Sequence, residues 1–374
     1  MRILLAFDKF KGTMTAAEAC RAAAEGLRRF DPNIETDFCP LSDGGEGFVD
    51  ALAAATGGCE IQLEVSGPLG EPVPASVLLL GDMGVAVAES AHACGLGHVP
   101  EGRRNPGLTS TFGVGELLRH AAESGAREVW LGLGGTSTND AGMGMLAAWG
   151  WRFLDENGVD LEPVGANLVK VAEIVEGGRP PVPVVAACDV TNPLVGPLGA
   201  ARVFGPQKGA TPDMVEELDE GLRSFARVAA AQLGHDLAQV PGAGAAGGLG
   251  FALLAFFGAR FAPGGELAIA AAKLEERLDR VDLCLTGEGR FDAQSMMGKL
   301  PARVADRCRR RGRPCILAVG SHGMTPEEIA AAGFAGAFSL VGAQCTLDDA
   351  VERPAECLAL VTETWAKSWF SRRG

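Results

Sequence analysis

The sequence lacks the marks of a zinc protein and of a membrane protein. Its ten cysteines include no CxxC pair and its five histidines are scattered, so we expect buried, reduced thiols and no structural zinc site. No apolar stretch of membrane-spanning length is free of Gly, Pro or charge, and the N-terminal apolar run is too short for a signal peptide. These absences predict a cytoplasmic protein without a membrane partner.

Positive charge is also scarce. The chain has 33 Lys and Arg against 47 Asp and Glu, which gives a formal net charge of −14. Sequence-independent binding of nucleic acid needs a basic surface that displaces counterions, and anionic membranes attract basic segments. We therefore expect no nucleic-acid partner, and an anionic ligand must meet a local positive pocket.

Several catalytic signatures are missing from the sequence. It contains no P-loop of the form GxxxxGK[ST], no set of protein-kinase motifs and no GxSxG nucleophile elbow. No histidine stands beside an obviously activated Ser or Cys, so a nucleophilic triad fits poorly. Any catalytic function must therefore rest on other residues.

The sequence does contain the alternation of strands and helices that is typical of a parallel sheet. With 374 residues, 47% of them hydrophobic, the chain is long enough for two domains. We predict a Rossmann-like or flavodoxin-like α/β domain over residues 1–60 and 281–374, because short strands and helices alternate there. A second α/β domain, residues 61–280, is inserted into it. Residues 61–87 should form antiparallel strands, and 267–278 a single helix.

The segment 185–210 places an acid at the end of a predicted strand. Its apolar run 184–187 is followed by Asp189, by Asn-Pro and Gly-Pro turns, and then by Lys208. A carboxylate at a strand end with a lysine nearby suits phosphate chemistry. The alternative is an aspartate that only caps a turn.

Glycine-rich loops follow several predicted strands. Glycine lets backbone N–H groups approach an anion, and a helix N-terminus adds partial positive charge, so these loops predict a phosphate ligand. One loop, 242–247, matches the dinucleotide fingerprint GxGxxG, with Glu266 near the position of a ribose-binding acid. Pro241 disfavours the strand that must precede this fingerprint. A dinucleotide-dependent oxidoreductase of a small hydroxy acid is therefore the minor alternative.

The loop 286–299 carries acids and cations close together. Glu288, Arg290, Asp292 and Lys299 follow a predicted strand, and ligands of doubly wound sheets gather beyond the carboxyl ends of strands. A turn with mutually paired surface charges is the alternative. Phosphoryl transfer needs a carboxylate for Mg²⁺, cations, backbone donors and a base that orients the acceptor, and these loops supply all of them.

Taken together and in order, the loops resemble those of the bacterial glycerate kinase family, of the glycerate 2-kinase type. The matching motifs are AFDKFKG, SDGGEG, LGGTSTNDAGMGM, CDVTNPLVG, RVFGPQKGA, PGAGAAGGLG and LTGEGRFDAQSMMGK. The resemblance implies ATP-dependent phosphorylation of D-glycerate, usually at the 2-hydroxyl to give 2-phosphoglycerate, with 3-phosphoglycerate as the alternative product. It also implies two α/β domains with the active site in the cleft between them.

The resemblance suggests roles for individual residues. Asp189 or Asp292 is expected to bind Mg²⁺ or to orient the glycerate hydroxyl, and Lys11 and Lys208 to act as catalytic cations. Expected nucleotide contacts are Gly134, Gly135, Asn139, Gly242, Gly244, Gly247, Gly287 and Lys299. Expected substrate contacts are Asp8, Asp43, Asp140 and Glu288. The oligomeric state is left open.

The chain departs from the family pattern at a few positions. Phe7 stands where the family usually has proline, Lys9 where it has serine, and Val114 where it commonly has threonine. Ala141 replaces a common glycine, which removes some backbone freedom. We hypothesise that Lys9 strengthens the attraction of the site for an anionic substrate.

Overall fold

Two compact units make up the part of the chain that the computed structural model describes, residues 1–291 and 299–371. The first unit comprises 1–43, 50–57 and the described residues of 265–374, and the second unit comprises 44–49 and 58–264. The predicted ranges assign three segments differently, because they place 44–49 and 58–60 in the first domain and 265–280 in the second.

The strands and helices of both units follow in chain order. The strands are β1 (Arg2–Phe7), β2 (Glu35–Phe38), β3 (Cys59–Ser66), β4 (Pro72–Leu80), β5 (Val85–Glu89), β6 (Glu128–Gly132), β7 (Arg152–Leu154), β8 (Glu173–Val175), β9 (Val184–Ala187), β10 (Arg260–Ala262), β11 (Leu283–Phe291), β12 (Cys315–His322) and β13 (Gly336–Ser339). The helices are α1 (Ala16–Phe30), α2 (Phe48–Thr56), α3 (Ser90–Cys94), α4 (Phe112–Glu123), α5 (Met143–Ala148), α6 (Ala200–Phe204), α7 (Pro212–Leu233), α8 (Ala245–Phe257), α9 (Gly264–Ala271), α10 (Leu274–Leu278), α11 (Leu300–Arg310), α12 (Pro326–Ala331), α13 (Leu347–Glu352) and α14 (Pro354–Ser371).

The first unit is built on a five-stranded parallel sheet in the order β13-β12-β11-β1-β2. From β1 the chain moves outward to β2, and it returns on the other side of β1 with β11. Residues 3–7 of β1 are fully buried, as expected of a strand covered on both faces. The α/β class and the parallel sheet predicted from the sequence are confirmed.

Helix α1 shows how local sequence fixes an element of this unit. Thr15 accepts a hydrogen bond from the Glu18 N–H, and the Glu18 carboxylate accepts one from the Thr15 N–H. This capping box satisfies two donors that a helix start otherwise leaves without partners. The spacing of Thr15 and Glu18 in the sequence predicts this capping box, and the structure confirms it.

The second unit contains a six-stranded mixed sheet in the order β10-β9-β6-β5-β4-β3. Strands β5, β6, β9 and β10 are parallel, whereas β3 and β4 are antiparallel at one edge. The antiparallel strands predicted for the start of this unit are therefore confirmed. An aromatic cluster of Trp151, Phe225, Phe251 and Phe256 fills much of its core.

The single helix predicted over residues 267–278 is wrong. The chain forms α9 and α10 with a break at Lys273, whose φ is +51°. A left-handed conformation is unfavourable for a residue with a Cβ atom and cannot continue a right-handed helix.

Among the helices of the described ranges, none is both long and apolar enough to cross a bilayer.

Candidate active site

Three loops that the sequence singled out come together in the second unit. The parallel strands β5, β6 and β9 end at the same edge of the sheet, and the loops 133–142 and 188–199 begin there. The Ala141 N–H donates to the Gly247 carbonyl oxygen at 3.1 Å, and the Gly244 N–H donates to the Asn192 carbonyl oxygen at 3.0 Å. The loop 242–250 is therefore joined to both of the others.

Lys208 lies buried against the first of these loops, with 3% of its surface exposed. Its Nζ donates to the Thr138 carbonyl oxygen at 2.6 Å and to Thr136 Oγ1 at 3.3 Å. Burial lowers the pKa of Lys208 to about 8, although Cys94 and Asp140 act in the opposite direction. Lys208, which was predicted to be a catalytic cation, thus lies at the glycine-rich loop. Its pKa is closer to neutral pH than that of an exposed lysine.

Asn139 is fully buried beside this lysine-bound segment. Neither its Oδ1 nor its Nδ2 has a hydrogen-bond partner within the described ranges. An unsatisfied buried polar group costs about 1–3 kcal/mol, and most native proteins avoid it. The amide is therefore a candidate contact for a polar ligand.

Asp140 has a different environment from its neighbour Asn139. Its carboxylate accepts hydrogen bonds from Thr111 N and Thr111 Oγ1, both at 2.8 Å, and from Gly142 N and Gly144 N, both at 3.1 Å. Burial raises the pKa of Asp140, and these bonds oppose the rise. Because the protein itself engages both oxygens, the geometry supports a role in positioning the loop more than the predicted substrate contact.

Packing explains most of the glycines that were predicted to contact a nucleotide. A Cβ atom at Gly134 would lie 2.4 Å from Gly45 Cα, and one at Gly247 would lie 2.0 Å from the Thr138 carbonyl oxygen. A Cβ atom at Gly242, Gly244 or Gly287 would lie less than 3 Å from Phe261, Pro193 or Ala318, respectively. Gly135 differs, since it is exposed and has a φ of +71°. A Cβ atom there would lie 3.4 Å from its nearest neighbours. Glycine at the other positions is required for packing whether or not a nucleotide binds.

The dinucleotide fingerprint has no strand before it. Residues 238–244 form turns, and α8 begins at Ala245. A dinucleotide-binding loop connects a strand to a helix. The structure therefore lacks the context that this alternative function requires.

Asp189 follows β9 and is exposed at the carboxyl edge of the second unit. Two residues that were not predicted from the sequence, Glu89 and Ser90, lie at the same edge, at the end of β5. The buried Glu89 carboxylate accepts from the N–H groups of Gly47 at 2.9 Å and Val49 at 3.3 Å, and Ser90 Oγ is buried without a partner among the described atoms. Asp189 was identified because it is an acidic residue at the end of a predicted strand. Glu89 has the same position at the end of β5, so the same feature could have identified it.

The first unit gathers carboxylates where β1 and β11 end. Asp8 follows β1 and is 5% exposed, Glu288 lies near the end of β11, and Asp43 follows β2. The pKa of Asp8 is raised well above its usual value by burial, then by Asp43, and less by Glu288, while the Lys9 N–H, which donates to Asp8 Oδ1 at 2.7 Å, lowers it. The structure thus brings these three predicted substrate contacts together.

The predicted cations of the first unit are accessible to water. Lys11 is exposed, and a Cβ atom at Gly289 would lie 3.3 Å from its backbone nitrogen, so Lys11 lies beside the end of β11. Lys299 is exposed and immediately precedes α11. Asp292 lies outside the described residues.

Comparison with known proteins identifies relatives over the whole length of the chain. The family model described as the glycerate kinase family matches residues 3–370. A glycerate kinase of Halalkalibacterium halodurans is 44% identical over 98% of this chain and 99% of its own length. A glycerate 2-kinase of Escherichia coli is 42% identical over 94% of this chain and 93% of its own. A crystal structure of a Salmonella typhimurium LT2 protein assigned as glycerate kinase 2 is 40% identical and has a TM-score of 0.84, covering 100% of this chain and 99% of that one.

Proposed function

This chain belongs to the glycerate kinase family and is a glycerate kinase, and we propose that it transfers the γ-phosphoryl group of ATP to the 2-hydroxyl of D-glycerate. Membership of a kinase family implies the use of ATP. The name of the Escherichia coli relative, glycerate 2-kinase, supports the choice of hydroxyl. Formation of 3-phosphoglycerate is the alternative.

The observation that carries the assignment of the site is the pair Lys208 and Asn139. Two Nζ protons of Lys208 are donated to Thr138 and Thr136, and an ammonium group has three donors. The third donor, with the Asn139 amide, suits the oxygens of a phosphate group. We assign both residues to the phosphates of ATP, with Gly135 N–H as a further donor. Asp189 and Glu89 lie at the same edge of the sheet, after β9 and at the end of β5.

The strand order of the first unit supports a ligand site at the carboxyl ends of its strands. Numbered along the chain within this sheet, the order is 2-1-3-4-5, which is the flavodoxin-like order. Its switch point, where ligands bind in such sheets, lies between β1 and β11. We propose that Asp8, Asp43 and Glu288 act there, with Lys11 and Lys299 as cations.

The donor set at this switch point fits Mg²⁺. Mg²⁺ prefers carboxylate oxygens. Burial is the main cause of the raised pKa of Asp8, and a cation would relieve the repulsion from Asp43 and Glu288 that adds to it. Bound Mg²⁺ would neutralise charge on the phosphates during transfer. Asp189 and Asp292 were predicted from the sequence to bind the metal, and we keep this role as a proposal. We also keep the proposal that one of them orients the glycerate hydroxyl.

The cysteines support a cytoplasmic location as part of this proposal. All ten are free thiols, and disulfides are rare in reducing compartments. The test of location is fractionation of the cells that contain the protein. Recovery in the membrane pellet after washing would contradict it.

The decisive experiment for the reaction is ³¹P NMR of the product formed from ATP, Mg²⁺ and D-glycerate. We expect the resonance of 2-phosphoglycerate together with ADP, and its loss when EDTA removes Mg²⁺. A 3-phosphoglycerate resonance would keep the kinase assignment and overturn the proposed hydroxyl. A reaction that needs NAD(H) and continues in EDTA would favour the oxidoreductase.

A further inference from the structure

Three cysteines from separate elements of the first unit meet in its core. Cys284 lies on β11, Cys308 on α11 and Cys315 on β12, and their Sγ atoms all lie within 4.8 Å of one another. Each residue is at most 1% exposed. Cys284 and Cys315 are register partners on adjacent strands. We name these three residues the thiol triad.

The thiols of the triad interact with each other. The pKa of Cys308 is lowered because Cys284 and Cys315 donate hydrogen bonds to its sulfur. The pKa of Cys284 is raised by those contacts, and that of Cys315 chiefly by burial. The thiolate is the form of cysteine that attacks an electrophile or binds a metal. Cys308 is therefore the member of the triad that loses its proton most readily, and it lies within reach of two S–H groups.

We propose that the thiol triad is a binding site for trivalent arsenic, delivered as neutral arsenous acid. Three S–As bonds replace the three As–O bonds of As(OH)₃, and each thiol proton leaves with one hydroxyl as water. Nothing is oxidised or reduced, and the site needs no further ligand. The chemical class is a trivalent thiophilic element with three exchangeable hydroxyls.

Charge and coordination number distinguish this ligand from a metal cation. Three thiolates with Zn²⁺ would leave one net negative charge, and a buried charge without compensation is costly. Structural zinc also takes four protein ligands, whereas three grouped donors are found here within the described ranges. The arsenic complex is neutral and three-coordinate, so it matches both the burial and the number of sulfurs.

Access to the site should be slow. Because the three cysteines are at most 1% exposed, we expect arsenous acid to reach them only when the surrounding structure opens locally. We therefore expect binding over minutes to hours, faster under mild warming. The protein is incubated with sodium arsenite without thiol reductants before measurement.

The experiment is native mass spectrometry of the full chain after incubation. We expect one added arsenic with the loss of three hydrogens, and a raised Tm, because a ligand that binds the folded state stabilises it. In Cys308→Ala, and in Cys284→Ala as a second variant if the first does not fold, this three-hydrogen-loss adduct should be absent. Circular dichroism establishes that each variant is folded.

The matched control is the double variant Cys345→Ala and Cys357→Ala. These residues form another buried thiol pair of the same unit, so the variant removes a competing dithiol and leaves the triad intact. It should keep the three-hydrogen-loss adduct. The proposal is overturned if that adduct does not form in the wild type, if it persists in a folded triad variant, or if the control loses it. Binding of Zn²⁺ in place of arsenic would overturn the charge argument.

Discussion

Asp8 of the first unit and Lys208 of the second are both buried ionisable residues, yet their surroundings differ. Burial raises the pKa of Asp8 and lowers that of Lys208 to about 8, so it moves both toward the neutral form. Asp8 has Asp43 and Glu288 as like-charged neighbours, whereas Lys208 donates to neutral oxygens of Thr136 and Thr138. A bound cation would stabilise the first environment and a bound anion the second, which agrees with the Mg²⁺ and phosphate sites proposed above.

The largest effect should come from removing the charge of Lys208. Lys208→Met keeps the length of the side chain, and we expect kcat to fall on the order of 10³-fold, as when a transition-state cation is lost. Steady-state kinetics with ATP and D-glycerate measures this. Lys170→Met, at an exposed lysine of the same unit, is the control and should be near wild type. Turnover of the Lys208 variant within a few-fold of wild type would remove this residue from the catalytic group.

The lowered pKa of Lys208 should also appear in the stability of the protein. Between pH 8 and 10.5, its ordinary pKa, the unfolded chain holds a proton that the folded chain lacks, so stability rises with pH in this window. The expected gain is about 3 kcal/mol. Urea unfolding at several pH values, as the difference between wild type and Lys208→Met, isolates this residue. A difference that does not change from pH 8 to 10.5 would mean that Lys208 titrates normally.

Asp8→Asn should separate activity from stability in the first unit. We expect kcat/KM to fall on the order of 10²-fold, as for the loss of an acid–base or metal-binding group. The free energy of unfolding near pH 7 should stay the same or rise, because the raised pKa of Asp8 means that its ionised form destabilises the fold. Mg²⁺ should raise the Tm of the wild type more than that of the variant.

The control for Asp8 is Asp348→Asn, an exposed carboxylate of the same unit. It should leave activity and the Mg²⁺ response of Tm unchanged. An equal Mg²⁺ response in the wild type and in Asp8→Asn would place the metal elsewhere, with Asp189 and Asp292 as the next candidates.

A smaller effect is expected for the amide of Asn139. Asn139→Ala removes polar atoms that have no partner within the described ranges, so it should not reduce stability as loss of a hydrogen-bonded side chain does. The KM for ATP should rise about tenfold, since a hydrogen bond to a charged ligand is worth about 1.5–3 kcal/mol. Asn157→Ala, at an exposed asparagine, is the control. A lower Tm with unchanged KM would show a structural role.

The smallest effect should be that of Lys9. Lys9→Ser restores the residue usual in the family pattern, and we expect the KM for D-glycerate to rise about two- to fivefold at low salt, because a partly exposed charge contributes at most about 1 kcal/mol. The rise should shrink at high ionic strength. An unchanged KM at low salt would end the hypothesis that Lys9 attracts the substrate.

Prediction from sequence worked where structure depends on neighbours along the chain. The capping box of Thr15 and Glu18 and the strand 184–187 before Asp189 are present as predicted, because caps and strand ends are set by a few adjacent residues. The helix break at Lys273 was missed, since nothing in its local sequence opposes a continuous helix. Gly134, Gly244 and Gly247 were predicted to contact phosphate. The sequence does not show which residues pack against them, and this packing by itself requires glycine.

The sequence by itself determined the α/β class, the order of the acidic and glycine-rich loops, and the resemblance to glycerate kinases, since all of these are written in linear order. Only the tertiary structure decided which groups share an environment. Lys208 meets Thr138 across 70 residues of chain, and the thiol triad joins three elements whose cysteines have no recognisable spacing. Burial by distant neighbours shifts the pKa of Asp8 and of Lys208, because desolvation depends on the folded surroundings of a group. The same folded surroundings leave the Asn139 amide without a hydrogen-bond partner in the described part of the chain.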